Sequence, residues 1–555
     1  MTRSSSILCG TLAAFCLGAS AQGQTAPAPA QAAPKAHFYV RQYEVKGNAH
    51  LLTPMEFEKA VYPYLGPYRT SDDVEGARQA LEKAYFEKGY RTVSVEIPAQ
   101  SFKTGVIQLQ VEKNPVGRLR VTGSRYYSLD EIRREALSLQ EGSVPNFSQV
   151  NNDLVILNQS PDRSVTPSYQ AGLIPGTTDF TLAVKDSPPW HGSVEINNRY
   201  SVDTTPLRIN ASASYDNLWQ LEHSVGISFQ IAPENPDDTT VFSGYYLAHI
   251  PNVDWLSLML QGTKQDSNVN TLGGIGVTGN GEVVGIRALI ALPFGEHFVQ
   301  SLSLGFDYKH FINAENQIGG NDLSADNASL LSSPVTYFPL SAAYSATWTN
   351  KEYETALNAS INFALRGLGS DDEVFQINRF GASGDFIYIR GDLSHTHELP
   401  GGFQFFAKAQ GQAANEPLVN SEQFSGGGLG TVRGLLESEV LGDNGLLGTL
   451  ELRTPSIGGF FGKWVDDWRL YIFADGGFLA NDTPLTEAPY QYNLLSTGAG
   501  TRIKLGGHVN GSLDVGIPII ADTLNYHVPA GTYIQNPIRE RPYDALLTFR
   551  VWADF

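Results

Sequence analysis

The stretch Leu207-Arg-Ile-Asn-Ala-Ser-Ala-Ser-Tyr215-Asp216 alternates apolar and polar residues throughout. Successive side chains of a β-strand point to opposite faces, so this stretch predicts a strand with one apolar and one polar face. The segment from Val225 to Ile231 repeats the pattern. Soluble sandwiches alternate in the same way, so a single strand leaves a membrane barrel and a soluble sheet both open.

Helical periodicity disappears from Trp190 onward, and alternating segments follow one another to the end of the chain. We count about sixteen such segments, an even number that lets antiparallel strands close into a barrel without free edges. The segments start near residues 193, 206, 222, 240, 254, 281, 297, 337, 354, 385, 402, 445, 468, 495, 508 and 545.

The connections between these segments alternate between short turns and long, polar, Gly/Asn/Asp-rich stretches. Short periplasmic turns and long outer loops are typical of bacterial outer-membrane barrels. The sequence therefore predicts a transmembrane barrel over residues 189–555. Its long connections lie around 265–280, 310–336, 366–384, 414–444, 479–494 and 518–544.

The composition argues against several classes of function. A net charge of −19 over 555 residues disfavours nucleic acid as a partner, because phosphate binding requires clustered Lys and Arg. Beyond the amino-terminal segment, no stretch approaches the ~18 consecutive apolar residues of a membrane helix. Neither G-x-S-x-G nor H-E-x-x-H occurs. We therefore expect no enzyme activity, no catalytic residue, no metal and no cofactor.

Residues 1–21 have the pattern of a secretory signal peptide, with a charged start at Arg3, an apolar run and a small-residue cleavage site. Both cysteines, Cys9 and Cys16, fall inside this segment, so the mature chain is expected to have neither a disulfide nor a thiol. Residues 22–36 are rich in Ala, Pro and Gln, and we expect them to form a leader without a core.

Residues 38–186 contain an internal repeat with a period of roughly 75 residues. Val45-Lys-Gly-Asn48 in the first copy matches Val121-Thr-Gly-Ser124 in the second. We predict two α+β domains, 37–113 and 114–188, each ordered strand, helix, helix, strand, strand. The predicted elements are 38–46, a helix after Thr53, 72–88, 92–98 and 105–113, then 119–123, 129–139, 147–158, 165–169 and 179–186.

This order of elements resembles the POTRA domain, a periplasmic module that occurs in tandem before outer-membrane barrels. Two ferredoxin-like domains of unrelated use are the alternative interpretation. The resemblance implies an exposed sheet edge that accepts an extended segment by strand addition. The candidate edges are Thr92 to Pro98 and Val165 to Tyr169.

The long segment 414–444 contains Thr431-Val432-Arg433-Gly434-Leu435. It resembles the VRG(Y/F) motif of the Omp85 superfamily, whose loop folds inward into the barrel lumen, although Leu435 stands where Tyr or Phe is usual. Two segments later, Phe473-Ala-Asp475-Gly-Gly477 matches the FxDxG strand motif of that superfamily. In the family, this Asp or its neighbours receive the loop arginine.

An arginine inside a narrow lumen loses hydration but keeps its charge, so it needs a fixed carboxylate. Strand alternation directs Asp475 inward, which makes it the first choice as the partner of Arg433. Glu451, at an inward position of the preceding strand, is the second choice. For either motif alone, an exposed loop arginine and an ordinary lumen acid remain the alternative.

The chain ends Leu547-Thr-Phe549-Arg-Val551-Trp-Ala553-Asp-Phe555, with apolar residues at every second position. This ending resembles the terminal signal by which bacterial outer-membrane proteins are recognised for assembly. We therefore predict that Phe549, Val551 and Phe555 belong to such a signal.

With two POTRA-like units, about sixteen strands and both motifs, the chain resembles the TpsB transporters of two-partner secretion, the ShlB/FhaC/HecB type. The resemblance implies that it captures an unfolded exoprotein in the periplasm and moves it through the lumen to the cell surface without nucleotide hydrolysis. The implied partners are an exoprotein with an N-terminal secretion domain, outer-membrane lipids and the barrel assembly machinery. We expect a monomer. The alternatives are an Omp85-type factor that inserts other outer-membrane proteins, and a passive channel with accessory periplasmic domains.

Overall fold

The computed structural model describes residues 36–47, 51–202, 204–250, 253, 255–267, 279–293, 295, 297–312, 317–318, 321–322, 334–482, 489–524, 538 and 542–555. The predicted signal peptide and all but the last residue of the predicted leader lie outside these ranges. Contacts divide the chain into two compact units, one with 1–119, 138–152 and 169–180, the other with 120–137, 153–168 and 181–555. The second repeat contributes to both units, so the domain boundaries drawn from the sequence stay predictions.

The first repeat contains a three-stranded sheet of order β2 (Gln42–Lys46), β5 (Val106–Lys113) and β4 (Val93–Glu96), in which β2 and β4 are the edges. A separate pair joins β1 (Phe38–Val40) to β3 (Gly66–Arg69). The prediction of one continuous strand over 38–46 is wrong in one detail. The observed strand is interrupted at Arg41, whose amide donates to the Gly105 carbonyl. Strand β3 was not predicted, because its Gly-Pro start signals a turn. The elements are β1 Phe38–Val40, β2 Gln42–Lys46, α1 Pro54–Val61, β3 Gly66–Arg69, α2 Ser71–Glu87, β4 Val93–Glu96 and β5 Val106–Lys113.

Local signals start both helices of this repeat. The amide of Glu56 donates to the Thr53 hydroxyl and the Glu56 carboxylate accepts from the Thr53 amide, so the two residues form a capping box. Thr70 and Asp73 form the same box ahead of α2. The apolar face of α2 enters the core of the repeat. Its buried residues, each at most 1% exposed, are Val74, Ala77, Leu81 and Tyr85.

The second repeat contains a sheet of order β6 (Val116–Thr122), β8 (Thr178–Asp186) and β7 (Arg163–Ala171), so β6 and β7 are its edges. The helix predicted over 129–139 ends earlier, at Glu135, because Ala136 leaves the helical region with ψ 60°. A short 3-10 turn, Leu137–Leu139, follows. The elements are β6 Val116–Thr122, α3 Leu129–Glu135, α4 Phe147–Leu157, β7 Arg163–Ala171 and β8 Thr178–Asp186.

The glycine shared by the two repeats has the same conformation in each. Gly47 has φ +95° and Gly123 has φ +94°. A Cβ on Gly47 would lie 2.5 Å from the carbonyl oxygen of Val111, and a Cβ on Gly123 would lie 2.4 Å from that of Val184. Only glycine fits such a position, so the matching sequence has a common steric cause.

From Trp190 onward, most of the described residues lie in β-strands. The described strands are β9 Trp190–Asn197, β10 Arg208–Leu218, β11 His223–Ile231, β12 Thr239–His249, β13 Leu256–Ser267, β14 Gly279–Ala291, β15 Phe298–Ile312, β16 Gln317–Ile318, β17 Asn321–Asp322, β18 Val335–Tyr337, β19 Leu340–Thr349, β20 Tyr353–Phe363, β21 Ile387–Glu398, β22 Gln404–Ala414, β23 Phe424–Gly426, β24 Val440–Gly442, β25 Asn444–Arg453, β26 Val465–Ala480, β27 Gln491–Leu505, β28 Val509–Leu524 and β29 Leu546–Asp554. Among the described residues a further helix, α5 Asp372–Asn378, lies between β20 and β21.

These strands form a closed antiparallel barrel, apart from the pairs β16–β17 and β23–β24. Both β18 and β19 pair with β15, so they count as one wall strand that is interrupted between Tyr337 and Leu340. On this count the described part of the chain contains sixteen wall strands. The last strand, β29, pairs with the first, β9, and closes the wall. The predicted fold class is therefore confirmed.

The wall has its apolar side chains outside and its polar side chains inside. On β11, Ile227 is 54% exposed and Phe229 39% exposed, whereas Ser224 is 9% and Gln230 8% exposed. A water-soluble sandwich would show the opposite arrangement. This inversion therefore favours the membrane barrel over the soluble sheet. Among the described residues, no helix combines the length and the apolar character that a membrane-crossing helix requires.

The connection predicted as a polar loop around 366–384 contains α5, and that part of the prediction is wrong. Phe375 on this helix is 1% exposed and packs with Tyr337 and Phe386. The seven residues of α5, of which Val374, Phe375 and Ile377 are apolar, are too few to show a helical period, so the sequence did not indicate the helix.

Candidate functional site in the barrel lumen

The long segment between β22 and β25 folds into the barrel. Strands β23 and β24 form a short hairpin within it. The tip beyond this hairpin is buried: Val432 is 0%, Arg433 4% and Leu435 1% exposed. The segment, here called the inner loop, comprises residues 415–443.

The Arg433 side chain makes a bidentate contact with Asp475 on β26. Its Nε lies 2.7 Å from Asp475 Oδ2 and its Nη2 lies 2.8 Å from Asp475 Oδ1. The backbone amide of Arg433 also donates to Asp475 Oδ2, at 3.1 Å. One carboxylate therefore fixes both the side chain and the backbone of the loop tip.

Glu451 on β25 is a second partner of the same guanidinium. Arg433 Nη1 lies 2.6 Å from Glu451 Oε1. Glu451 also accepts from Arg453, at 2.7 Å, and from Arg502, at 3.2 Å. The structure thus brings together both carboxylates considered from the sequence, and places two further arginines beside them.

Asp514 on β28 is a site residue that the sequence argument missed. It lies 3.6 Å from Arg433 Nη1 and accepts a hydrogen bond of 2.7 Å from the Tyr471 hydroxyl. Strand alternation was sufficient to direct Asp514 inward, but no motif marks its strand. We call Arg433, Glu451, Asp475 and Asp514 the tip cluster.

The Phe473 ring of the strand motif lies under the arginine. Arg433 Cζ is 3.5 Å from the ring centroid, a cation–π contact. Phe473 is 3% exposed, whereas its neighbour Ile472 is 60% exposed on the outer face. The alternation of β26 therefore delivers an aromatic ring and a carboxylate to the same arginine.

The two motif glycines allow close backbone approach. Gly434 has φ +94°, and a Cβ there would lie 2.9 Å from the carbonyl carbon of Gly516 on β28. At Gly477 a Cβ would lie 1.9 Å from the Leu446 carbonyl oxygen on β25. Larger residues at either position would push the loop tip or the neighbouring strand away.

Leu435 replaces the aromatic residue that is usual in the loop motif, yet it is fully packed. It belongs to a buried apolar group that lines the path of the inner loop. Leucine therefore retains apolar packing at the tip without a ring. The other described members of this group are Phe424, Val432, Val440, Leu447, Leu479, Tyr492, Leu494, Ala521 and Ile538.

The carboxy-terminal residues lie at the closure of the barrel. The amide of Phe555 donates to the Gly192 carbonyl at 2.9 Å, and the amide of Phe549 donates to Asn198 Oδ1 at 2.7 Å. Val551 faces outward, 48% exposed. Their role as an assembly signal stays a prediction.

Among the described residues, one group has the atoms to hold a metal ion: Asp162, His191 and Asp216. His191 Nε2 lies 2.8 Å from Asp162 Oδ2 and 3.4 Å from Asp216 Oδ2. The shorter contact is accounted for by a hydrogen bond between the His191 ring and Asp162.

A closed barrel of sixteen strands, a charged loop anchored in its lumen and amino-terminal α+β domains define an outer-membrane barrel protein with periplasmic domains. Residues 176–503 match the family described as "Haemolysin secretion/activation protein ShlB/FhaC/HecB", and residues 38–113 match "POTRA domain, ShlB-type". The chain belongs to the ShlB/FhaC/HecB family, the outer-membrane transporters of two-partner secretion within the Omp85 superfamily. The resemblance stated from the sequence is thereby confirmed.

Similar proteins include transporters of this type. "Outer membrane transporter CdiB" of Dickeya dadantii (strain 3937) is 19% identical over 516 residues, which cover 89% of this chain and 82% of the relative. "Heme/hemopexin transporter protein HuxB" of Haemophilus influenzae is 21% identical over 407 residues, which cover 70% of this chain and 67% of the relative. Transporters of this family work with secreted exoproteins.

Two solved structures share the fold. CdiB from Escherichia coli superposes with a TM-score of 0.64 at 19% identity and covers 96% of this chain and 93% of its own. BamA from Haemophilus ducreyi lacking POTRA domains 1-3 superposes with a TM-score of 0.54 at 14% identity, and the match covers 94% of this chain and 100% of the BamA chain. At these identities the likeness shows a common fold and leaves the finer activity to other arguments.

Proposed function

We propose that this chain captures an unfolded partner exoprotein in the periplasm and moves it through the barrel lumen to the cell surface without nucleotide hydrolysis. The observation that carries the proposal is the bidentate contact of Arg433 with Asp475, which holds the inner loop inside the lumen. A loop held by ionic contacts can be released and restored, because hydration replaces the lost contacts once water enters.

The sheet edges of the two repeats support capture. Strands β4 and β7, which overlap the segments considered from the sequence, are edges of their sheets. An edge strand presents unpaired N–H and C=O groups, and an extended segment pairs with them without strict sequence demands. Strands β2 and β6 are the opposite edges, so each of the two three-stranded sheets has two edges.

Gene deletion followed by comparison of surface and culture-fluid proteins tests transport directly. We expect one large secreted protein to disappear. Loss of many outer-membrane proteins would instead favour an assembly factor. Unchanged protein profiles with lost solute permeability would favour a passive channel.

Replacement of the loop arginine tests the site. Arg433→Ala leaves Asp475 without its main partner, and we expect export to fall roughly tenfold or more while the barrel still inserts. Arg433→Lys retains charge without the bidentate contact and should give an intermediate value. Arg366→Ala is the matched control, because Arg366 is a loop arginine that pairs with Asp385 but is largely exposed. Export at the wild-type level in Arg433→Ala would remove the motif from the mechanism.

A further inference from the structure

A second buried charge lies at the root of the inner loop. Glu422 is 1% exposed and ends the short 3-10 turn Asn420–Glu422. Its carboxylate accepts hydrogen bonds from Lys309 Nζ at 2.5 Å, from the Tyr337 hydroxyl at 2.5 Å and from the Tyr388 hydroxyl at 2.7 Å. These donors stand on β15, β18 and β21, none of which contributes to the tip cluster.

The other end of the loop carries a comparable charge. Asp443 is 0% exposed and forms a bidentate contact with Arg379, at 2.9 and 2.6 Å. It also accepts from the amides of Leu418 and Asp482. Arg379 is the residue after α5, so the loop root is tied to the helix-bearing connection as well as to the wall. We call Lys309, Tyr337, Arg379, Tyr388, Glu422 and Asp443 the root cluster.

The two clusters lie at different depths in the barrel. Tyr388 pairs in register with Ala414, the last residue of β22, next to the start of the loop. Asp475 pairs with Thr449, five residues beyond Asn444, the first residue of β25. At about 3.4 Å per residue, the tip cluster is about 17 Å further along the wall than the root.

Release has different consequences at the two clusters. If Arg433 leaves, Glu451 keeps Arg453 and Arg502, and Asp514 keeps the Tyr471 hydroxyl, whereas Asp475 loses its bidentate partner. Movement of the tip also separates Glu437 from Arg199. If Glu422 leaves, Lys309 loses the carboxylate with which it forms a buried pair. Each release leaves a buried charge unpaired, but among the described residues the root has more hydrogen bonds to the wall, because Arg390 on β21 and Gln412 on β22 also donate to the backbone carbonyls of Glu422, Gln423 and Asp443. The tip is therefore the easier of the two to release.

Glycines separate the tip from the hairpin that joins it to the root. Gly427 and Gly428 follow β23 directly, with φ +105° and +92°. A Cβ on Gly427 would lie 2.3 Å from the Leu436 carbonyl oxygen. Glycine at these positions allows the backbone to change direction with little steric resistance.

We propose that Glu422 is a positioning residue that holds the root of the inner loop stationary during transport, while the tip, residues 427–439, moves. The hairpin β23–β24 then stays against the wall and the partner chain passes the displaced tip. This inference rests on the proposed function, since it specifies which part of the loop yields to the exoprotein.

A disulfide between the root and the wall tests the proposal. A Cβ on Gly442 would lie 2.9 Å from the Cβ of Leu479 on β26, so Gly442→Cys with Leu479→Cys is close enough to bridge after a small shift. We expect the oxidised double variant to export as much exoprotein as its reduced form and as each single variant. Export that stops on oxidation and returns with reductant would overturn the proposal. Thiol labelling under denaturing conditions reports how completely the bridge has formed.

Neutralising Glu422 provides a second readout that does not require export. In planar lipid bilayers we expect Glu422→Gln to raise the conductance of the resting pore several-fold, because the root loosens. Glu416→Gln is the matched control, since Glu416 lies in the same loop and accepts only from the Ser383 hydroxyl in the described structure. Equal conductance in the two variants would contradict the proposal that Glu422 holds the root of the inner loop.

The double variant Lys309→Met with Glu422→Gln removes both charges and should insert even if the single variant does not. We expect its resting conductance to exceed that of wild type as well, because the root contact is absent. Wild-type conductance in the double variant would also overturn the proposal. A wild-type chain that exports no partner would count against the proposed function. The conductance comparison would still test whether Glu422 holds the root of the inner loop.

Discussion

The first repeat and the barrel place their apolar side chains in opposite directions. In the repeat, Leu81 is 0% and Tyr85 1% exposed at the centre of a closed core. In the barrel, Ile227 is 54% exposed, whereas Glu451 and Asp475 are 3% and 1% exposed inside the wall. The same hydrophobic effect operates in both, but the barrel faces lipid, so its interior is free to hold charges. That freedom allows an ionised loop to occupy the lumen.

Removal of the repeats tests most directly whether the two regions have separate tasks. We expect deletion of residues 37–186 to abolish export while pore conductance in planar bilayers is retained, because capture and passage use different regions. Export assays and conductance on the same variant make the measurement. Export at the wild-type level would refute the capture role of the repeats.

A cavity in the core of the repeat should have the next largest effect. Leu81→Ala removes a fully buried side chain from α2, and we expect a loss of about 2–5 kcal/mol in the stability of the first repeat. Hydrogen exchange of the β5 amides in the full chain measures it. Ile227→Ala is the control on the lipid face, where no enclosed cavity forms and a smaller effect is expected. Equal losses would contradict the contrast between the two regions.

A charge on the outer wall tests the assignment of the lipid face. Ile227→Lys lies at the middle of β11, and we expect it to destabilise the barrel by about 2–4 kcal/mol in lipid. Ser228→Lys on the adjacent position points to the lumen and should be tolerated. Folding in lipid vesicles, followed by the heat-dependent electrophoretic mobility of the barrel, gives the comparison. A reversed order would invert our assignment of the two faces.

The smallest expected effect concerns a helix start in the first repeat. The hydrogen bond from Lys88, followed by those from Thr53, lowers the pKa of Glu56 from 4.5 to about 2. Because the folded pKa is the lower one, this stabilisation is present above pH 4.5 and is lost as pH falls toward 2. We expect Glu56→Gln to speed hydrogen exchange in α1 at neutral pH, with a difference from wild type that shrinks in acid. A difference that does not depend on pH would show that the charge contributes nothing.

Much of the candidate site followed from local sequence patterns. Alternation directed Phe473 and Asp475 into the lumen, and the loop motif marked Arg433. The sequence ranked Asp475 ahead of Glu451 as the partner of Arg433, and in the structure the guanidinium contacts both, with the bidentate contact going to Asp475. Asp514 was not predicted as a site residue, because inward-facing acidic residues without a motif are common in a polar lumen.

The sequence by itself determined the barrel, its closure by an even number of strands, the repeated α+β units and the residues of the two motifs. These features depend on a period of two residues, on short capping signals and on glycine positions, all of which are local. Only the tertiary structure decided the sharing of Glu451 among three arginines, the packing of α5 and the contact between Lys309 and Glu422. Those partners are far apart along the chain, 113 residues for Lys309 and Glu422. They meet because the wall closes and the inner loop folds back, which no local period encodes.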